Sequence, residues 1–173
     1  MRLAEIRTGY ERALEWVVIL LMAALAIEVT TGVVFRTIGM SLAWYDEVAS
    51  ILLAWLTYYG SALAAAKRGH ISCPELVAMF PPAVRLPLAL LAEVLVFAFF
   101  ILLAYIGWTV LDVLATDHLV SLPEISVKYV QLVIPISAVL ILVAEAINVP
   151  AVFADALHGH GGGAVDKAKE ASH

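Results

Sequence analysis

A carboxylic acid inside an apolar run is the most costly side chain in this sequence, and it is the first place to look for chemistry. Glu28 stands within the block from Leu14 to Phe35, about 18 Å beyond Trp16 at the 1.5 Å rise of an α-helix. An acid near the centre of a membrane helix costs about 2.5–3.5 kcal/mol on insertion scales, so it is expected to face another helix rather than lipid. Ala24, Thr31 and Gly32 lie one turn away on its side and form a small, polar stripe suited to helix contact. Two chemistries fit such an acid. It can be a proton or cation site, or a carboxyl hydrogen-bonded in a helix seam, and its partner is not named by the sequence. Glu93 and Glu145 are expected nearer the membrane surface, where Lys67, Arg68 or Arg85 can neutralise them.

The other chemistry-bearing residues do not converge. His70 and His118 fall in loops, and the remaining histidines lie in a glycine-rich tail where His158 and His160 have no further ligands beside them. Cys73 is the sole cysteine, which excludes an intrachain disulfide. No nucleophile–base pair, phosphate loop or metal-ligand cluster is present. No catalytic residue, cofactor or metal site is therefore expected, nor a nucleic-acid partner.

The elements that must position Glu28 follow from composition. The chain has 173 residues, 63% hydrophobic and 14% charged, with a mean hydropathy of +0.96. A soluble domain of this size needs more polar surface, and the apolar residues come in blocks of span length. The expected fold is all-α and integral to the membrane. Its four transmembrane helices cover about 14–35, 48–66, 86–111 and 127–149 of a membrane domain at 14–150. The first block exceeds a signal-peptide core and is read as a retained span. Two short amphipathic surface helices are expected beside the spans. Leu3, Ile6 and Tyr10 of segment 1–13 recur at helical spacing with Leu14 at the head of the first span. Ser72 and Glu75 have capping-box spacing before Leu76, Val77, Met79 and Phe80, with Pro81-Pro82 as the stop. From 151 onward the chain reads as a flexible tail.

Charge placement sets the expected orientation. Arg2, Arg7, Arg12, Lys67, Arg68, Arg85, Lys167 and Lys169 lie on one side, against Arg36 and Lys128 on the other. The positive-inside tendency puts both termini and the middle loop in the cytoplasm. Within the spans, Gly60/Ala64 and Ser61/Ala65 offer small-residue registers for close helix approach. Trp55, Tyr58 and Tyr59 form an aromatic stripe one turn earlier, and Pro135 predicts a kink in the fourth span.

Between Phe35 and Pro82 an ordered pattern stands out: Phe35-Arg36, Trp44-Tyr45-Asp46-Glu47, Gly60, Arg68-Gly69-His70-Ile71 and Pro81. It resembles the small, DctQ-like membrane subunit of tripartite ATP-independent periplasmic (TRAP) transporters, with a departure at Ser137, where that family often has glycine. The resemblance implies a non-catalytic scaffold in the bacterial inner membrane that braces a large transport subunit. It also implies a periplasmic binding protein as partner and ion-gradient-driven, sodium-coupled symport of organic acids. By matched position it places Arg36, Trp44 and Glu47 at the periplasmic end of the first helix pair, where an Arg–Glu pair could fix the hairpin. Arg68 and His70 fall at the cytoplasmic turn. Glu28 matches no position of the pattern. Two other readings stand beside this one: an autonomous proton-coupled transporter built on Glu28, and a haem-holding respiratory anchor, for which facing intramembrane histidines are missing.

Overall fold

A computed structural model describes residues 2–40, 42–67 and 82–158. Five helices carry almost all of it: α1 (Arg2–Thr37), α2 (Tyr45–Ala66), α3 (Pro82–Val113), the short α4 (Val127–Gln131) and α5 (Val133–His158). A 3-10 turn (Leu114–Thr116) follows α3, and no strand forms among the described residues beyond one isolated bridge, His118 to Ser126. Among the described residues four stretches are long and apolar enough to cross a membrane: Arg7–Thr37, Tyr45–Ala66, Leu86–Thr116 and Val127–Pro150.

Helix α1 runs for 36 residues. No turn separates segment 1–13, expected as a surface helix, from the first span, because nothing between Arg2 and Thr37 breaks a helix. Arg7 donates to Glu11 one turn on, at 2.7 Å, and this i,i+4 pair carries the amphipathic register into the apolar one. The helix ends at a glycine. Gly39 takes a φ of 81°, Gly39 N donates to Arg36 O and Met40 N to Phe35 O, the paired bonds of a Schellman cap. Only a residue without Cβ adopts that backbone at no steric cost.

Proline placement explains the other ends. Pro82 opens α3, where its missing N–H is an orphan in any helix. Pro150, expected as the end of the fourth span, lies inside α5 with its ring exposed, and the helix continues to His158. The discontinuity near Pro135 sits at Leu132, between α4 and α5. Leu132 keeps right-handed helical angles, so the two helices follow one another closely. The segment from Ser72 to Phe80 and the tail beyond His158 lie outside the described residues, as do Arg68 and His70.

Packing is serial: α1 lies on α2, α2 on α5, and α5 on α3. Directions follow from the contacts. Glu15 meets Lys67 and Gly32 meets Tyr45, so α1 and α2 are antiparallel. Trp55 meets Val130 and Asn148 meets Ala65, so α2 and α5 run the same way. Where these elements meet, Leu14, Ala62, Ala65, Ala66, Ile141 and Ala144 form a small buried cluster. The helices otherwise bury little against each other. Within the most apolar window of each span, 33% of α5 is buried, against 6% of α1 and none of α3. In water such exposure of leucine, valine and phenylalanine is untenable; in hydrocarbon it has no solvation penalty. The chain is a multi-pass membrane protein.

Candidate functional site

The seam between α1 and α2 is written in α1 as alternating steps of four and three: Leu14, Val18, Leu21, Leu25, Glu28, Gly32 and Phe35. These positions are buried or half-buried while those between them are largely exposed. Glu28 therefore belongs to the helix contact, on the side the sequence indicated, although Ala24 of the expected stripe is exposed. One carboxyl oxygen of Glu28, Oε1, is sealed from solvent and has no hydrogen-bond partner.

One turn on, Gly32 is buried under the ring of Tyr45. A Cβ built on Gly32 would stand 1.9 Å from Tyr45 Cε2, so a ring fills the space that any other residue would need. Beside it, Gly32, Arg36, Leu42, Tyr45 and Asp46 line a pocket of about 240 Å³ at the mouth of the hairpin. Arg36 is exposed there. Trp44 is half-buried at the N-cap position of α2 and makes no side-chain cap.

Glu47 does not meet Arg36 in an ion pair. Its carboxylate instead clasps the loop that follows α3: Oε1 accepts from Val120 N at 3.1 Å, and Oε2 accepts from Ser121 N at 2.8 Å and from the Ser121 hydroxyl. Two adjacent backbone amides aimed at one carboxylate outcompete a flexible guanidinium at an exposed edge, where a lone ion pair is worth little. The loop is rigid by its own bonds. Val127 N donates to Asp117 O, Leu119 N to Ile125 O and Ile125 N to Leu122 O. Glu47 thus fixes the hairpin end of α2 to a loop more than seventy residues away.

At the opposite end of α2, Lys67 pairs with Glu15 of α1. The hydrogen bond to Glu15 is the main reason the Lys67 ammonium titrates above its ordinary value, with the charges of Glu15 and Glu11 adding to it. Asn148, 2% exposed, donates Nδ2 to Ala65 O at 3.0 Å and to Ala66 O at 3.5 Å. It bonds from α5 to two carbonyls in the last turn of α2, where a helix runs short of its own N–H donors. Sequence reasoning missed it. An amide among Ile147, Val149 and Ala144 in a span was the available signal. Tyr10 donates to Leu140 O at 2.6 Å, and Trp55 Nε1 to Val130 O at 3.0 Å, each tying a distant helix to α5 or its approach. Ser137 is 1% exposed and donates to Ile134 O at 2.9 Å.

Of the expected small-residue registers, Ala65 is buried in the intrachain seam beside Ala62 and Ala66, whereas nothing among the described residues lies within 4 Å of a Cβ built on Gly60. Among the described residues no group of three or more histidine, cysteine or acidic side chains is placed to hold a metal. What the arrangement does chemically is hold helices in register.

The sequence model of the tripartite ATP-independent periplasmic transporters, DctQ component, matches residues 25–154. The chain belongs to that family. The match runs from the middle of α1, just before Glu28, to the last turns of α5, and so takes in the Glu47 clasp and Asn148. DctQ is a family of transporter components and not of enzymes. No curated protein matches the sequence.

Proposed function

We propose that this DctQ chain is the non-catalytic small subunit of an importer driven by an ion gradient, and that it braces a large membrane subunit against which its open helix faces pack. The single observation behind this reading is how little the four spans bury among themselves. A helix series held by one small alanine-rich cluster, with none of the apolar window of α3 buried, is built to be completed by another membrane protein. Gly60 supports it, since a half-buried glycine with open space above it leaves room for a foreign helix backbone.

In this reading the termini are cytoplasmic, by the distribution of lysine and arginine, and the membrane is the bacterial inner membrane. The Glu47-clasped loop then faces the periplasm beside Arg36 and Trp44, in reach of a soluble binding protein that delivers the solute. The solute is an organic acid and the coupling ion sodium, both handled by the large subunit. Arg68 and His70 stand at the cytoplasmic turn, toward lipid headgroups or the partner.

A second reading keeps one observation to itself. The unpartnered Glu28 oxygen in a helix seam is what an autonomous proton-coupled transporter would need. Vesicles containing this chain alone separate the two. The scaffold reading expects no pH-driven flux of any organic acid tested and no effect of Glu28→Gln. Flux by the chain alone that Glu28→Gln abolishes would replace it.

A further inference from the structure

We propose that the groove between α3 and α5 seats one acyl chain of a zwitterionic aminophospholipid, with the headgroup phosphate on Lys128 and its ammonium on Asp112. The groove has a volume of about 490 Å³ and an apolar lining, chiefly Tyr105, Trp108 and Thr109 on one side and Pro135, Ile136 and Val139 on the other. Its origin is local. Gly107 lets α3 approach α5 so closely that a Cβ there would lie 3.2 Å from Pro135 Cδ, and the larger side chains flanking this contact stand apart beside it. An apolar hollow open to hydrocarbon is filled by whatever restores dispersion contact along its walls, and a lipid chain does so without leaving its own solvent.

Beyond the lining residues, at the end of the groove marked by Trp108 and Pro135, each wall carries one charge, Asp112 about one turn and Lys128 about two turns further on. Lys128, Leu132, Pro135 and Val139 follow at steps of four, three and four along α4 and α5, while Tyr105, Trp108 and Asp112 follow at three and four along α3. Lys128 and Asp112 approach to 3.8 Å, with their side chains 39% and 84% exposed. A pair so open and so loose is worth little, and a headgroup can part it. A phosphate alone answers only Lys128 and is repelled by Asp112. A quaternary choline carries no N–H to donate to Asp112. A phosphoethanolamine answers both. Exposed Trp108 and Tyr129 flank this level, as amphipathic rings do at a headgroup boundary. A helix from another protein laid in the same groove would have to bury the ion pair at its mouth, at a desolvation penalty that a headgroup avoids.

The test is native mass spectrometry of the full chain in mild detergent, titrated with phosphatidylethanolamine, phosphatidylglycerol and phosphatidylcholine. One phosphatidylethanolamine is expected to bind about tenfold more tightly than either other lipid. Val139→Phe and Ala104→Phe, which fill the groove, are each expected to weaken it about tenfold, with the helical circular dichroism unchanged. Asp112→Asn, at an exposed site that disturbs no packing, should bring phosphatidylethanolamine down to the level of phosphatidylglycerol even if both filling variants fail to fold. Equal retention of the three lipids overturns the proposal. So does wild-type phosphatidylethanolamine affinity in a folded filling variant or in Asp112→Asn, or a groove covered by a co-purifying protein with no lipid retained.

Discussion

Replacing Gly32 by alanine adds one methyl group where the ring of Tyr45 already lies, and the outcome can be worked from the geometry. The new Cβ would stand 1.9, 2.1 and 2.5 Å from Tyr45 Cε2, Cδ2 and Cζ. Carbon atoms settle at about 3.5–4.0 Å, so the ring or the helix must withdraw by roughly 1.6 Å or more. Overpacking of this kind costs about 1–3 kcal/mol. Alanine is a better helix former than glycine by about 0.8–1.0 kcal/mol, which offsets part of that loss. The net expectation for Gly32→Ala is a destabilisation of about 1 kcal/mol. In a Tyr45→Ala background the obstacle is gone and only propensity remains, so the same substitution should stabilise by up to about 1 kcal/mol. The sign reverses, and the double-mutant coupling is about 1–3 kcal/mol. Reversible unfolding in mixed micelles, followed by far-UV circular dichroism, measures all four corners of the cycle. Gly32→Ala stabilising to the same extent in both backgrounds would refute the close approach of α1 and α2 at this turn.

Three further outcomes follow from the same contacts. Asn148→Ala removes the side chain that, among the described residues, donates to the carbonyls of Ala65 and Ala66, and it leaves a hole in a buried seam, which should cost about 1–3 kcal/mol in the same micelle assay. A loss no larger than that of Val143→Ala, an exposed site on the same helix, would contradict its capping role. Glu47→Ala frees the amides of Val120 and Ser121, so hydrogen exchange at these two residues should accelerate markedly while exchange in α2 beyond its first turn is unchanged; unaltered exchange at both amides would count against the clasp. Lys67 titrates above its ordinary 10.5, so its pair with Glu15 contributes stability that is fully present below that value and is lost as pH rises through the higher folded-state value. The thermal midpoint of the wild type should therefore fall more steeply above about pH 10.5 than that of Glu15→Gln, and parallel curves would remove Lys67–Glu15 from the account.

Span existence was legible because hydrocarbon imposes an unbroken apolar run of fixed length, and such runs are visible in one dimension. Where spans begin and end depends on where prolines fall in a helix. Pro82 stands at the start of α3, and the apolar span ends at Pro150 as its position suggests, although the helix of α5 itself runs on to His158. The placement of Glu28 in a helix contact was legible from its neighbours, because helical period alone puts Thr31 and Gly32 on its side. What covers Gly32 was not, since Tyr45 is thirteen residues on and across a turn set by Gly39. The partner of Glu47 is not legible in the sequence: an Arg–Glu pair can be written from it, whereas the two loop amides near position 120 that Glu47 meets cannot. Asn148 was missed for a similar reason, as the carbonyls it satisfies belong to the end of another helix.

The most direct test of the central reading is purification of the tagged chain from its native membrane in mild detergent, with quantification of the proteins it retains. The account predicts one larger polytopic membrane protein in fixed proportion, with retention reduced when Gly60 is replaced by leucine in the open face of α2. A monodisperse chain that retains no membrane protein, with its broad apolar faces covered by lipid and detergent alone, would contradict it.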